Sequence, residues 1–244
     1  MLPAIYTAMA QRGWPTCPYV NPVKITPDDG IEDFLEVPRF STGYAALHQT
    51  IGFMPETHML KPFADRYAAM RALVEVVLAY TVEHGATIQA LRRAARQAAA
   101  SQRTWPVLWK PDYSRPASFR FKGYAAVQRP SQLGNYLRLA YDRNQPWERD
   151  IAWFNRCVVD LEVATPRSYL IPQSWREVIN RLQWNDVVLE RLAEDQVLSG
   201  QVYQIDDVVS RPGPYEGHMF HDGVTLHSVD ATVKARAGDV LVHL

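Results

Sequence analysis

Cysteine is scarce in this sequence, and glycine is not concentrated anywhere. The chain of 244 residues has two cysteines, Cys17 and Cys157, and 12 glycines. Two cysteines are too few for a four-cysteine zinc site or for the dense disulfide framework of small secreted domains. We therefore expect two buried free thiols rather than a disulfide bond.

An excess of charge is also missing. Lysine plus arginine number 26 and aspartate plus glutamate number 26, so the formal net charge is zero. Proteins that bind nucleic acid usually have a basic face, so we expect no nucleic-acid partner. No apolar run is long enough to cross a bilayer, which argues against a membrane partner. Residues Met1–Tyr6 lack the basic start and apolar core of a secretory signal, which predicts a cytoplasmic location.

The compact signatures of several enzyme classes are missing as well. There is no Gly-x-Ser-x-Gly nucleophile elbow and no glycine-rich phosphate loop. No histidine is followed by glutamate three residues later, which excludes the short metalloprotease spacings. His218, His221 and His227 lie near one another, but in and after a glycine-containing turn, and this context favours ordinary turn residues over a metal site.

The residues from Pro62 to Ala100 have the strongest helical pattern in the chain. Apolar side chains recur there at three- and four-residue steps, which predicts one buried stripe. Gly85 is placed to end a first helix, and a second helix is predicted to begin near Thr87. The stripe consists of Tyr67, Met70, Leu73, Val74, Val77, Leu78 and Val82.

The residues before this helix pair predict short elements. Leu2–Gln11 has the pattern of a short helix, and a proline-rich connection follows it. Two short strands are predicted at Phe34–Phe40 and Gly52–Glu56. Ser41–His48 is predicted to be a turn that leads into a brief helix.

The residues after Ala100 are mainly β in character, with one predicted helix at Gln173–Leu182 capped by Ser174. This change in composition predicts two domains, residues 1–104 and residues 105–244, with the boundary within 101–114. The predicted strands are Trp105–Lys110, Ser118–Lys122, Val158–Val163, Val187–Leu192, Gln201–Val209, Thr225–Lys234 and Asp239–His243.

Glu56 is the one carboxylate within the apolar and aromatic stretch Pro38–Phe63. Three interpretations fit it: an ordinary residue at the end of a strand, a metal ligand or a general base. A carboxylate just before a helix is stabilised by the helix dipole. Local physics therefore favours a residue that caps the following helix.

Several segments resemble a known family. VPRFSTGYAAL, followed by ETHMLKPFADRYAAMRALVEVVL, is similar to the C-terminal part of the catalytic domain of bacterial zinc carboxypeptidases, the carboxypeptidase A-like metallopeptidases. RSYLIPQSWREVINRL and PYEGH resemble a β-rich domain that often follows it. The resemblance extends from about Leu35 to the C-terminus. It implies a partial α/β/α catalytic domain followed by a mainly β domain with one helix.

The resemblance also implies roles for particular residues. In the family, a glutamate takes a proton from a zinc-bound water and passes it to the leaving amine, and Glu56 matches that position. By position, Tyr44 and Arg39 are candidates for substrate binding, because a hydroxyl and a guanidinium can hold a carboxylate. The substrate would be a peptide.

The zinc ligands of the family precede the stretch that corresponds to Leu35. Only 34 residues precede Leu35 here, and none is a histidine. We therefore expect no metal-ligating residues and no tight zinc binding, and we expect a C-terminal portion that is inactive alone. It would need an N-terminal catalytic portion or would self-associate. The alternatives are a non-catalytic module that binds a peptide or protein, and a complete enzyme of another kind.

Overall fold

A computed structural model describes all of residues 1–244 and has a mixed α/β fold with four helices and ten strands in four small sheets. The chain divides into two compact units, residues 1–164 and residues 165–244. The fold is therefore mixed α/β, as expected, and the expected boundary near residue 104 stays a prediction.

Three helices belong to the first unit: α1 (Leu2–Gln11), α2 (Ser41–Leu47) and α3 (Phe63–Ala100). The short first helix and the brief helix after residue 40 were both predicted. The predicted break at Gly85 is wrong, because α3 continues through it for 38 residues. A glycine inside a helix costs only about 1 kcal/mol relative to alanine, which the many good helix formers around it offset.

The core between α1 and α3 is small. Ile5 and Met9 of α1 pack against Ala72 and Val76 of α3, and these are the buried residues of that cluster. The predicted stripe on α3 is mostly exposed, because α1 is a short helix and covers only a small part of a helix of 38 residues. The exposed members of the stripe are Tyr67, Val74, Leu78 and Val82.

The strands of the first unit form two sheets. One sheet has the order β1-β4-β3, with β1 parallel to β4 and β3 antiparallel to β4. The other is the antiparallel pair β2–β5. Ile31, Phe121 and Ile151 form the buried centre of the first sheet. The bounds are β1 (Ile31–Glu32), β2 (Thr104–Pro111), β3 (Ala117–Pro130), β4 (Leu137–Phe154) and β5 (Cys157–Ala164).

The two strands predicted before α3 are not present. Phe34–Phe40 is a loop and turn that packs on α2, where a methyl group at Gly43 would overlap the carbonyl oxygens of Glu36 and Val37. Gly52–Glu56 has no regular structure and pairs with no strand. In both segments the apolar pattern is that of a strand, but no partner strand lies beside it.

The second unit has one helix and a three-stranded sheet of order β6-β10-β7, from which a two-stranded ribbon, β8–β9, extends. Its core consists of Ile179, Val240 and Val242. The helix begins three residues later than predicted and Ser174 does not cap it. The bounds are β6 (Ser168–Ile171), α4 (Arg176–Trp184), β7 (Glu190–Arg191), β8 (Gln196–Ser210), β9 (His221–Ala235) and β10 (Val240–His243).

Three further differences concern single features. Only Glu190–Arg191 of the predicted strand Val187–Leu192 pairs, because Val187 and Leu189 pack into the core of the second unit instead. The whole of β4 escaped prediction, since its middle contains charged residues and a proline, Pro146. Cys17 and Cys157 are free, as expected, but both are exposed rather than buried.

Candidate functional site

Glu56 lies on an unpaired segment between α2 and α3 rather than at the end of a strand. Its side chain is exposed, and its carboxylate takes part in no hydrogen bond or ion pair. The nearest helix, α3, begins seven residues later at Phe63, and its N-cap is Pro62. The interpretation that Glu56 caps this helix is therefore wrong.

The course of this segment follows from an anchor near its start. Arg92, on α3, donates from Nε to the carbonyl oxygen of Gln49 at 2.8 Å and from Nη2 to Oγ1 of Thr50 at 2.9 Å. Farther on, the backbone N–H of Lys61 donates to the carbonyl oxygen of His58 at 3.0 Å, which closes a turn just before α3. Glu56 lies between this anchor and this turn, on a segment that pairs with no strand.

Arg39 and Tyr44 lie at the other end of this region. Arg39 precedes α2, with its guanidinium carbon 5.9 Å from the centre of the Phe40 ring. Tyr44 is in α2, and its ring centre lies 5.1 Å from that of His48. Neither side chain makes a hydrogen bond or ion pair with Glu56. The predicted trio thus belongs to one region of the chain but does not form a closed pocket around one ligand.

The histidines of the second unit have partners other than a metal. Nδ1 of His221 lies 2.9 Å from Oγ of Ser210, and Nδ1 of His227 lies 2.8 Å from Oδ1 of Asp206. His218 closes a turn with Tyr215 through backbone hydrogen bonds. No group of three or more His, Cys, Asp or Glu residues in the chain is arranged to hold a metal ion. The residues present therefore do not fit the zinc that the resemblance implies.

A chain of side-chain hydrogen bonds crosses the sheet of the second unit. Nδ1 of His243 lies 2.7 Å from Oγ of Ser168, and Nε2 of His243 lies 2.7 Å from Oε2 of Glu190. His243 of β10 thereby links the two outer strands, β6 and β7. These hydrogen bonds could not be predicted from the sequence. The three residues lie on strands that are far apart in sequence and meet only through strand pairing.

A second polar centre lies beside β1 in the first unit. Trp153 donates from Nε1 to Oδ1 of Asp33 at 2.8 Å. Burial raises the pKa of the Asp33 carboxyl, and the hydrogen bond from Trp153 opposes that shift. Burial also raises the pKa of Tyr6 to about 12, with further contributions from Cys17 and Asp33. Both shifts are upward, and burial is the largest cause of each.

Comparison of the chain with protein-family models, with curated proteins and with solved structures gives no match. None of the four helices is both long enough and apolar enough to cross a membrane.

Proposed function

We propose that this chain is the C-terminal portion of a metallocarboxypeptidase-like protein and that it is inactive alone. In this proposal the first part of the chain belongs to a partial carboxypeptidase-like α/β/α domain and the rest is an accessory region rich in β-structure. The proposal rests on the resemblance of the segments around Glu56 and on the surroundings of Glu56.

The observation that carries the proposal is the exposure of large apolar side chains next to Glu56. Met59 and Leu60 are each 79% exposed, and Phe63 and Tyr67 at the start of α3 are also exposed. Contiguous apolar surface of this kind is rare on a complete soluble domain and usually contacts another segment or protein. This supports the proposal that another polypeptide portion covers Glu56 and α3.

The role proposed for Glu56, that of a general base, requires a complete site. The carboxylate of Glu56 is exposed and has no internal partner, so it is accessible to a group that another polypeptide portion would supply. Because the residues of this chain do not form a zinc site, no catalytic step can be derived from the chain alone. The ligands would have to come from another polypeptide portion.

The first test measures zinc content and the release of C-terminal residues from N-blocked peptides by the purified chain. We expect less than stoichiometric zinc and no release. Stoichiometric zinc together with release would contradict the proposal that the chain is inactive alone.

The second test concerns the DNA upstream of the coding sequence. We expect a reading frame that encodes His-x-x-Glu and a later histidine, and restored peptidase activity when that portion is produced together with this chain. Glu56→Gln should then abolish turnover, while Glu83→Gln, on the exposed face of α3, should not. Unchanged turnover in Glu56→Gln would remove Glu56 from the mechanism, and unrelated upstream DNA would favour the alternative below.

The alternative function is a non-catalytic module that binds a peptide or protein. The observation that favours it is the ribbon β8–β9, whose two strands pair only with each other and leave both outer edges free. Extended peptides bind to such edges by adding a strand. Peptide binding without turnover, retained when Glu56 is replaced, would support this alternative.

A further inference from the structure

Strands β3 and β4 pair to form a long ribbon. Its outer half, Ala125–Pro130 paired with Leu137–Asp142, has two arginines side by side. Arg129 of β3 lies directly opposite Arg138 of β4, and the backbone N–H of Ser131 donates to the carbonyl oxygen of Tyr136 at 2.9 Å just beyond them. Tyr136 precedes Arg138 by two residues and lies at the turn that joins the two strands. We call these three residues the arginine patch.

The inner half of the same ribbon is arranged differently, because its cations have acidic neighbours. Arg120 lies 3.3 Å from Glu148 and 3.7 Å from Asp150, and Lys122 lies 3.8 Å from Glu148. These pairs lie across the two strands and neutralise one another. The inner half therefore has no unmatched positive charge.

Arg129 and Arg138 have no such neighbours and make no hydrogen bond or ion pair. Asp142, farther along the same face, already accepts hydrogen bonds from Asn144 and Gln145 at 3.0 Å each. Like charges directly opposite one another in a sheet destabilise the pairing. An anion from outside the ribbon would remove this repulsion.

The surroundings of the patch are those of a protein contact. Tyr136 is exposed, and Leu133 at the tip of the ribbon is 91% exposed. Arginine and tyrosine are enriched among the residues that contribute most to protein–protein binding. Guanidinium groups bind carboxylates in a bidentate geometry, which adds direction to the attraction.

We propose that the arginine patch binds the carboxylates of an acidic segment of another protein. Two free guanidinium groups match a short acidic segment, whereas a nucleic acid requires a longer basic surface. This inference is independent of the proposed function, because it involves neither Glu56 nor the second unit.

The test uses the full chain and a fluorescent peptide of alternating Glu and Gly residues, with binding followed by anisotropy at low salt. We expect the double variant Arg129→Gln/Arg138→Gln to bind at least about tenfold more weakly, because two charge-assisted contacts are lost. The matched control is Arg93→Gln/Arg96→Gln on α3, which changes the net charge equally and should bind as the unaltered chain does. Equal loss in both variants, or no binding by the unaltered chain, would overturn the proposal.

Two competing ligands test which class of anion the arginine patch binds. Inorganic phosphate and a single-stranded oligonucleotide are each added to the complex with the labelled peptide. We expect neither to displace the peptide at concentrations where the unlabelled peptide does. Preferential displacement by either one would show that the patch does not select an acidic protein segment.

A further variant separates binding from folding. Arg138→Glu places a carboxylate opposite Arg129 and creates a cross-strand ion pair in place of the repulsion. We expect peptide binding to be lost while the thermal midpoint stays the same or rises. A lower midpoint would mean that the arginine pair supports the ribbon structurally, which contradicts a role in binding.

Discussion

The sheet β6-β10-β7 and the ribbon β8–β9 belong to the same unit, yet they differ in what stabilises them. Val240 and Val242 of the central strand β10 are buried against α4, and Ile179 of α4 is 2% exposed. The ribbon has longer strands and many backbone hydrogen bonds, but nearly all of β8 is exposed. Ile205, for example, is 66% exposed.

This comparison indicates that strand pairing and burial are separate sources of stability. An isolated two-stranded ribbon is only marginally stable in water, because it has no apolar face to bury. The short strands of the sheet are held by burial against a helix, which is the larger contribution. We therefore expect substitutions in the sheet to lower the free energy of unfolding much more than similar substitutions in the ribbon.

The largest expected difference is between two isoleucines. Ile179→Ala should lower the free energy of unfolding by about 2–5 kcal/mol, because it leaves a cavity in the core. Ile205→Ala on the ribbon should change it by less than about 0.5 kcal/mol, since solvent already surrounds the side chain. Denaturant unfolding of both variants measures the difference. Equal effects would mean that the ribbon is covered by a partner in solution.

A second comparison is between glycines in the two long ribbons. A methyl group at Gly123 of β3 would lie 2.5 Å from Cζ2 of Trp147, whose ring is also packed 4.2 Å from the guanidinium carbon of Arg149. Gly123→Ala should therefore cost about 1–3 kcal/mol through overpacking.

Gly200 of β8 is the matched position, because a methyl group there would meet no atom within 4 Å. Gly200→Ala should raise the free energy of unfolding by about 0.5 kcal/mol, since alanine loses less backbone entropy in a strand. Thermal unfolding of both variants provides the measurement. Destabilisation at Gly200 would be evidence for an unseen contact at the ribbon.

The smallest expected effect depends on pH and concerns Asp239, which directly precedes strand β10 of the sheet. Asp239 accepts backbone hydrogen bonds from Arg236 at 2.8 Å and Gln173 at 2.9 Å, which lower the pKa of its carboxyl below the usual value. Because the pKa is lower in the folded state, its stabilising contribution is complete above the unfolded pKa of about 3.9. That contribution is lost as the pH falls from there through the folded pKa.

Urea unfolding between pH 7 and pH 3 tests this, with Asp239→Asn as the comparison. The variant should lose less stability on acidification than the unaltered chain. Asp230→Asn, on the exposed ribbon, is the control. An identical pH dependence in all three proteins would contradict the role assigned to Asp239.

The elements that the sequence predicted well are those with a local signal. Leu2–Gln11 was predicted with its observed ends, since Pro3 favours the first turn and Gly13 lies just beyond with a positive φ of 79°. Strands β2 and β5 were predicted within one or two residues of their ends, because both are rich in branched and aromatic residues.

The elements that escaped prediction depend on distant partners. The outer part of β4 alternates apolar Leu137, Leu139 and Tyr141 with other residues, but this pattern is short and the strand continues only through pairing with β3. Gly52–Glu56 has a strand pattern but no partner. For the candidate site, the sequence singled out Glu56, but its exposure and the anchor of its segment by Arg92 required the structure.

Local propensity and composition are enough to predict α1, α2 and α4, the helical character of α3 and the change to β-rich residues, but not the continuity of α3 through Gly85. Tertiary structure decided which apolar stripe is buried, where the compact units divide and which histidines meet which carboxylates. Such features arise from pairs of residues far apart in the chain. On α3, the same apolar pattern that predicts a buried helix leaves Leu78 and Val82 exposed, because burial requires a partner that no pattern within one segment can supply.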